Sequence, residues 1–582
     1  MKDIRKTKIV CTLGPACDDE ETLRALVETG MDVARLNFSH GSHEEHLERI
    51  TRLRKICAEL DQPVALLMDT KGPEIRTGSF EAKEVMLVAG SEVIIRHDDV
   101  LGNANEFSVS YKMLDRDLNR GDRVLLDDGL VELEVTKIHD HDVYTKVLNS
   151  GVVSNYKSVN LPNVSTHLPA LTENDRADLK FAAQHDFDFV ATSFTRRASD
   201  VQEIRQLLGS FGATKMHLIA KIENREGVER FEEILEAADG AMVARGDLGV
   251  ELPVQDVPAT QKMMIKACLD KGKTCITATQ MLDSMIRNPR PTRAEISDIA
   301  NAIMDGTDAL MLSGETAAGK YPVQALKTMV DTALGTESYI DYWGAFFKRD
   351  ILRHQSTVSN AIAHAACTTA MDVNAQAIIT VTQGGRTPRL VSQHRPGCPI
   401  IATTTTEKSR RRLTLTWGVT PILMGETEST DEIFSEGVER ARKAGLVKDG
   451  DMVVIVGGTP LGMSGSTNTL KVETVGNILV QGKGVGRVPL IAEVLVLKDS
   501  DVVSKMQIEE GTILVAERLT DELLHLIQRS GGLIVEDPND KSYAVMAAGL
   551  LDLPLIYGCE NCTDVLQSGS LIVMDPTTGT VR

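Results

Sequence analysis

Eight short apolar runs, each closing on polar or charged side chains, constrain this chain more than any other feature. Between residue 7 and about residue 345 they read TKIVCTLG, DVARLNFSHG, VALLMDTKG, FDFVATSF, HLIAKIEN, GAMVARGD, KTCITATQ and ALMLSGET, with helical stretches between them. Short aliphatic and β-branched runs without polar alternation are buried on both faces, as strands of a parallel sheet are. Eight parallel strands, each followed by a helix, close into a TIM (β/α)8 barrel, whose reactive groups stand at the carboxyl ends of the strands.

Polar groups gather at that end. Arg35, Asn37 and Ser39 close the second run, Asp69, Thr70 and Lys71 the third, and Ser193 the fourth. Lys221 with Glu223 closes the fifth, Arg245 with Asp247 the sixth, Thr279 and Gln280 the seventh, Ser313 and Glu315 the eighth. Taken singly, such a residue is ordinarily a helix cap or a turn, because short polar side chains bond local backbone N–H groups. Seven of the eight strand ends carry them, more than capping requires, and the set marks a site.

The residue types suggest phosphoryl transfer without a covalent protein intermediate. Hard carboxylate oxygens from Glu223 and Asp247 suit Mg²⁺ or Mn²⁺, and the Lys221 ammonium can neutralise charge on a phosphoryl group in motion. Arg35 and Arg76 offer guanidinium forks for phosphate oxygens. Asn37, Ser39, Asp69 and Thr70 form a weaker oxygen cluster, with one carboxylate among neutral oxygens, which suits a monovalent cation better than a second Mg²⁺.

At 582 residues the chain exceeds a single core. The barrel is expected over 1–71 and 167–345. Between the third and fourth runs the pattern changes to alternation, as in KEVMLVAGSEVIIRH and DRVLLDDGLVELEVTKI, with a turn signal at Asp128-Gly129. Alternation of period two marks half-buried antiparallel strands, so 72–166 is read as a small β-barrel lid domain inserted at the barrel rim. An α/β domain is expected over 346–473 and an extra α/β extension over 474–582, with the glycine-rich QGKGVGR read as a linker. Within the α/β domain TTTTEKSRRR runs from a strand into a helix, where hydroxyls, backbone N–H groups and three arginines could converge on a phosphate; the alternative is a capped helix with a solvated basic face.

A net charge of −20 disfavours nonspecific nucleic-acid or anionic-membrane partners, and 4% aromatic residues give no stacking platform. No run approaches the roughly 20 apolar residues a membrane helix needs, and the N-terminal MKDIRKTKIVCTLGPACDDE turns acidic before a signal-peptide core could form, so a cytoplasmic protein is expected. Nine scattered cysteines fit reduced thiols; the one close pair, Cys559 and Cys562, lacks a second pair to complete a zinc tetrahedron.

Seven motifs then carry a resemblance: KTKIVCTLGPA, ARLNFSHG, LLMDTKGPEIRTG, KIENREGV, MVARGDLGVELP, ATQMLDSM and MLSGETAAGKYP, in this order. Over about residues 3 to 473 the chain closely resembles the pyruvate kinase family. The resemblance implies a homotetramer that transfers the phosphoryl group of phosphoenolpyruvate to ADP, the enolate being protonated to pyruvate. It makes Lys221 the group that stabilises the phosphoryl in flight and Glu223 and Asp247 the Mg²⁺ ligands. The backbone of Ala244, Arg245 and Gly246 and the Thr279 hydroxyl would hold the substrate carboxylate. Arg35 and Arg76 resemble phosphate and nucleotide contacts, with Asn37, Phe38, Ser39, His40 and Lys157 as nucleotide neighbours, and Asn37, Ser39, Asp69 and Thr70 resemble a K⁺ site. Family members with Glu at the position of Glu74 depend on K⁺, so K⁺ activation is expected. Thr279 stands at the proton donor's position, where a hydroxyl would relay from water. Thr403, Thr404, Thr405, Thr406 and Ser409, with the loop GGTPLGMSGSTNT, resemble a pocket for a small phosphorylated effector.

The extension resembles the mobile phosphohistidine domain of phosphoenolpyruvate-utilising enzymes. That family's Thr-x-His tripeptide should fall near Lys541, Ser542 and Tyr543, and tyrosine stands where the histidine would be. Without it no phosphoenzyme can form there, which counts against a dikinase or synthase and assigns the extension a structural or regulatory part. A lyase on a similar barrel would need neither lid nor K⁺ cluster, and a sensor without chemistry would not keep every motif residue.

Overall fold

The computed structural model describes residues 4–348, 357–425, 430–458, 467–476, 478–498 and 508–582. Its contacts divide the chain into two units, residues 1–367, 380–426 and 457–469, and residues 368–379, 427–456 and 470–582.

In the first unit the eight runs form β1 (Lys8–Thr12), β2 (Val33–Asn37), β3 (Ala65–Asp69), β4 (Phe189–Thr192), β5 (His217–Ile222), β6 (Gly240–Ala244), β7 (Thr274–Ala278) and β8 (Ala309–Leu312). They close in the order β1-β8-β7-β6-β5-β4-β3-β2, every neighbour parallel. The apolar runs are continuous because each strand buries both faces. Val10, Val33, Leu67, Phe189, Ile219, Met242, Ile276 and Met311 fill the lumen as one cluster. Ile9, Leu36, Leu66, Val190, Leu218, Val243 and Leu310 belong to a second cluster, shared with the surrounding helices. At Gly240 a Cβ would come 2.6 Å from the Thr274 carbonyl oxygen, so only glycine lets β6 start so close to β7.

Helices begin where the sequence places caps. Ser42 and Glu45 form a capping box on His43–Leu60, Thr172 and Asp175 on Glu173–Gln184, and Thr292 and Glu295 on Arg293–Asp305.

The insert has eight strands around one core of residues such as Phe107, Val124, Leu133 and Val143. Glu84–Leu87 pairs with Gly151–Ser154; the other six run in the order Val159–Asn160, Arg123–Leu126, Val131–His139, Asp142–Val147, Glu92–Arg96 and Glu106–Ser108. Along Val131–His139 the residues Val131, Leu133 and Val135 are buried and their neighbours are not, the alternation that a one-sided sheet requires. Arg196, just after β4, holds the returning chain by donating to the carbonyls of Thr166 at 3.1 Å and Leu168 at 2.8 Å. Farther along, the first unit contains the parallel pair Ile400–Thr404 and Val419–Leu423, with helix Glu407–Leu413 between them.

The second unit contains an eight-stranded sheet built from the extension. Its centre is parallel, from Leu490–Leu497 through Ile513–Ala516 and Gly532–Val535 to Leu555–Tyr557, and antiparallel strands close both sides. One face buries Leu514, Leu533 and Val535 and the other Ile513, Val515 and Ile534, so both faces are covered. Ser542 caps helix Tyr543–Leu551 by accepting from the Val545 N–H, which puts Tyr543 at the first helical position. All nine cysteines are thiols outside any disulfide, and burial pushes the Cys559 thiol up to about 12 and that of Cys562 higher still.

Candidate active site

Strand periodicity builds the site. Side chains two residues apart share a face, so the lumen series Val10, Val33, Leu67, Ala191 and Ile219 continues at the carboxyl end as Thr12, Arg35, Asp69, Ser193 and Lys221. One more step along β5 brings Glu223. The inner face thus changes from hydrocarbon to charge within a single residue pair.

These groups bond to one another. Arg35 donates from Nε to Asp69 Oδ2 at 2.7 Å and from Nη1 to Thr12 Oγ1 at 2.8 Å. Lys221 Nζ lies 2.8 Å from Glu223 Oε1, 2.8 Å from Ser193 Oγ and 3.1 Å from Asp69 Oδ1. Ser193 Oγ in turn is 2.6 Å from the Thr70 carbonyl. The Phe194 N–H donates to Glu223 Oε2 at 2.5 Å. Ser193 was visible in the sequence only as a polar strand end; the structure makes it the bridge between β3 and Lys221. Phe194 and Thr12 carried no signal at all, since one acts through its backbone and the other sits inside an apolar run.

Electrostatics follow from this geometry. Burial alone would lower the Lys221 pKa, but Asp69 and Glu223 outweigh it and hold the ammonium charged well above the usual range. Asp69 is buried, yet Arg35 and Lys221 keep it below the ordinary carboxylate value. Glu223 goes the other way: burial, with the Asp247 charge adding and Lys221 opposing, pushes it up to about 7. Asp247 is also raised, chiefly by burial.

Beyond β6 and β7 the chain supplies backbone. The Gly246 N–H donates to Thr279 Oγ1 at 2.8 Å, and that hydroxyl donates to the Ala278 carbonyl at 2.7 Å. Thr279 and Gln280 have φ of 64° and 55°, a left-handed conformation that is costly for a β-branched residue and concentrates at functional sites. The Arg245 side chain turns away from the rim, with Nη1 2.6 Å from Asp298 Oδ2 and Nη2 2.7 Å from the Thr279 carbonyl. Ala244, Arg245 and Gly246 therefore present main chain, not a cation, to this end of the barrel.

The other expected residues fall in two places. Asn37 and Ser39 lie beside β3, where the Ser39 N–H donates to Asn37 Oδ1 at 3.1 Å and Asn37 stands level with Asp69 in the strand register. Thr70 donates from Oγ1 to the Ala191 carbonyl at 3.3 Å and accepts from the Ser193 N–H at 3.0 Å. His40 is exposed; the Phe38 ring is in the core, stacked on His46, which leaves only its backbone for a ligand. Arg76 and Lys157 lie farther out, in a cavity of about 420 Å³ shared with Glu74, Asp127, Asp128 and Asp247. Arg76 and Lys157 each already have an acid, Glu74 at 2.6 Å from Arg76 and Asp127 at 3.0 Å from Lys157.

TTTTEKSRRR departs from its expectation. The three arginines do not converge: Arg410 pairs with Asp61, Arg411 with Asp186 and Asp188, and Arg412 donates to the Lys215 carbonyl. Carboxylates on the barrel outcompete an inward arrangement, because three guanidiniums around an unfilled space would repel one another. Thr403 and Thr404 are buried, and their hydroxyls lie 3.4 Å from the Thr380 carbonyl and 3.5 Å from that of Gln383. Thr406 caps the helix by accepting from the Ser409 N–H, Ser409 Oγ donates to the Gln383 carbonyl at 2.7 Å, and Thr405 is half-buried. Of the loop GGTPLGMSGSTNT, residues 459–466 lie outside the described residues.

Among the described residues no cluster of three or more His, Cys, Asp or Glu side chains surrounds a metal position. Mg²⁺ needs only one or two protein carboxylates when substrate oxygens and water complete its octahedron. Glu223 and Asp247, both raised by burial and the first also by the second, are a pair that a divalent cation would relieve, so the residues fit one. Among the described residues no helix is long and apolar enough to cross a membrane.

Comparison with known proteins decides what this arrangement belongs to. Residues 4–326 match the family model described as pyruvate kinase, barrel domain, residues 360–473 that of the pyruvate kinase alpha/beta domain, and residues 508–579 that of the PEP-utilising enzyme mobile domain. The chain belongs to the pyruvate kinase family. Relatives named pyruvate kinase from Geobacillus stearothermophilus and Sporosarcina psychrophila are each 47% identical, over 99% of this chain and 98% and 99% of their own. A crystal structure of a pyruvate kinase from Cryptosporidium parvum superposes with a TM-score of 0.77 at 39% identity, covering 81% of this chain and 96% of that one. As a member of the pyruvate kinase family this protein is a phosphotransferase, and its barrel and α/β domain are those of the family.

Proposed function

We propose that the chain transfers the phosphoryl group of phosphoenolpyruvate to ADP with Mg²⁺ or Mn²⁺ and K⁺, giving ATP and pyruvate. The observation that carries this reading is the Lys221 ammonium, held charged between Asp69 and Glu223 at the mouth of the barrel. The P–O bond to the enol oxygen breaks as one to the ADP terminal phosphate forms, and a fixed cation stabilises the charge spread over the phosphoryl oxygens between them. Arg35, oriented by Asp69 and Thr12, adds a second positive group on the same face.

Glu223 and Asp247 would hold the divalent ion, which when bound supplies Lewis-acid neutralisation of phosphate and carboxylate oxygens. The N–H of Gly246, now on Thr279 Oγ1, is a donor that a substrate carboxylate takes over by displacing the hydroxyl. Freed in this way, Thr279 can pass a proton from water to C3 of the enolate, which leaves as pyruvate. Asn37, Ser39, Asp69 and Thr70 would hold K⁺. Arg76, Lys157 and the segment Asn37, Phe38, Ser39 and His40 would contact the nucleotide, Phe38 through its main chain.

On the same reading 1–71 and 167–345 are the catalytic barrel, 72–166 a lid that closes over the cleft, 346–473 an effector-binding domain and 474–582 an additional domain. A small phosphorylated metabolite would regulate the enzyme at Thr403, Thr404, Thr405, Thr406 and Ser409; the placement of Thr405, Thr406 and Ser409 at one strand-to-helix turn supports this. The enzyme would act in the cytoplasm as a homotetramer.

The test is pyruvate formation from phosphoenolpyruvate and ADP with Mg²⁺, in KCl and in tetramethylammonium chloride at equal ionic strength. Turnover that rises with K⁺ supports the reaction and the cation site together; no pyruvate in either salt overturns the reading.

A further inference from the structure

Behind the segment Asn37 to His40 stands a residue that no motif points to. His46 lies in the first turn of helix His43–Leu60 and is 2% exposed. Its ring stacks on that of Phe38, with centroids 4.3 Å apart and planes at 26°. Its Nε2 is 3.0 Å from the His40 carbonyl oxygen. A carbonyl can only accept, so Nε2 carries the proton. Nδ1 is buried without a hydrogen-bond partner, which suits an unprotonated lone pair in an apolar setting.

The two contacts grip the segment at both its ring and its main chain. Phe38 is wedged further by Phe181 and Phe187, with centroids 5.8 and 6.2 Å away, and its N–H donates to the Asp69 carbonyl at 3.0 Å. At Gly41, with φ of 80°, a Cβ would come within 2.8 Å of Glu45 Oε2, so the chain lies directly on the start of the helix. Asn37 and Ser39, themselves hydrogen-bonded, are therefore presented by a segment whose two neighbouring residues are anchored on one imidazole.

We propose that His46 is a positioning residue for the monovalent-cation and nucleotide segment: by stacking under Phe38 and donating Nε2–H to the His40 carbonyl it fixes the oxygens of Asn37 and Ser39. This rests on the reading of that segment given above. His46 touches no substrate. Its loss should therefore act on K⁺ and ADP more than on phosphoenolpyruvate, whose proposed contacts, Arg35 apart, come from the segments that follow β5 to β7.

The test compares the full-length protein with His46→Phe, which keeps a stacking ring but removes the donor, and with His46→Gln, which keeps a donor but removes the ring. Two readouts are followed: the K⁺ concentration for half-maximal activation, and the rise in Tm on adding KCl in place of tetramethylammonium chloride without substrates. The loss of one hydrogen bond predicts about a five- to tenfold increase in the K⁺ requirement of H46F in both, with the phosphoenolpyruvate KM at saturating K⁺ within about twofold of wild type and H46Q between the two. An unchanged K⁺ requirement in a folded H46F, or an equal rise in the phosphoenolpyruvate KM, overturns the proposal. Should H46F not fold, H46Q alone decides by the same criteria. Should wild type ignore K⁺ in both readouts, the cation reading itself has failed, and the ADP KM decides: a rise confined to ADP supports positioning by His46, and none overturns it.

Discussion

Arg245 Nη1 and Asp298 Oδ2 lie 2.6 Å apart, and this pair turns the side chain of a motif arginine away from the mouth of the barrel. The arginine also donates to the Thr279 carbonyl at 2.7 Å, so one guanidinium ties the segment after β6 to the segment after β7. Asp298→Asn should loosen both. We expect the phosphoenolpyruvate KM to rise about fivefold, as the weakening of one charge-assisted bond predicts, with kcat changed less. Steady-state kinetics check this, and an unaltered KM would show that the pair serves only stability.

On the proposed mechanism, Lys221→Met removes an ammonium whose contact strengthens as the phosphoryl moves. Turnover should fall by about two to three orders of magnitude, with little change in substrate affinity, because the interaction belongs to the transition state. Weaker binding with turnover intact would assign Lys221 to the ground state instead.

Glu74 contacts Arg76 through one carboxylate oxygen, 2.6 Å from Nη2 and 2.8 Å from Nε. Glu74→Lys places a permanent ammonium in that cavity and should reduce the activation by K⁺. Rates measured in KCl and in tetramethylammonium chloride should converge; dependence as strong as in wild type would remove Glu74 from the account.

His217 makes stability depend on pH. Burial holds its pKa down from 6.5 to about 4, with Arg389, Arg412 and Arg205 adding and Asp239 opposing. The unfolded chain takes up a proton near pH 6.5 that the folded chain refuses until about pH 4, so stability falls as the pH drops through that window. His217→Gln, which keeps an acceptor for Arg412 Nη1, should flatten the fall in Tm between pH 6.5 and 4. A slope equal to that of wild type would locate the acid sensitivity elsewhere.

Removing the extension after about residue 473 should leave pyruvate formation intact but lower Tm. A Cβ at Gly450 would come 2.8 Å from a Val573 side-chain carbon, so the cut uncovers packed surface within the second unit. A folded, inactive product would show that the extension has a part in the chemistry.

The fold of the barrel was legible because a parallel strand buried on both faces must be apolar along its whole length, and eight such runs have few other ways to pair. Much of the site was legible for a related reason. A period of two continues past the end of each strand, so Arg35, Asp69, Ser193 and Lys221 had to follow Val33, Leu67, Ala191 and Ile219 onto the inner face. The segment TTTTEKSRRR was not. Its composition is equally compatible with a phosphate pocket and with ion pairs, and the choice depends on Asp61, Asp186 and Asp188, more than two hundred residues away. The partner of the Arg245 side chain was hidden in the same way, since nothing near it in the chain announces Asp298.

The sequence by itself thus determined which residues are buried, which strand ends are charged and which face each side chain takes, since all of these follow from local periodicity. Only the tertiary structure decided which charges neutralise one another. An ion pair depends on distance in space, and the partners of Arg245, Arg411 and Lys221, like the grip of His46 on Phe38 and His40, exist only once the barrel has closed.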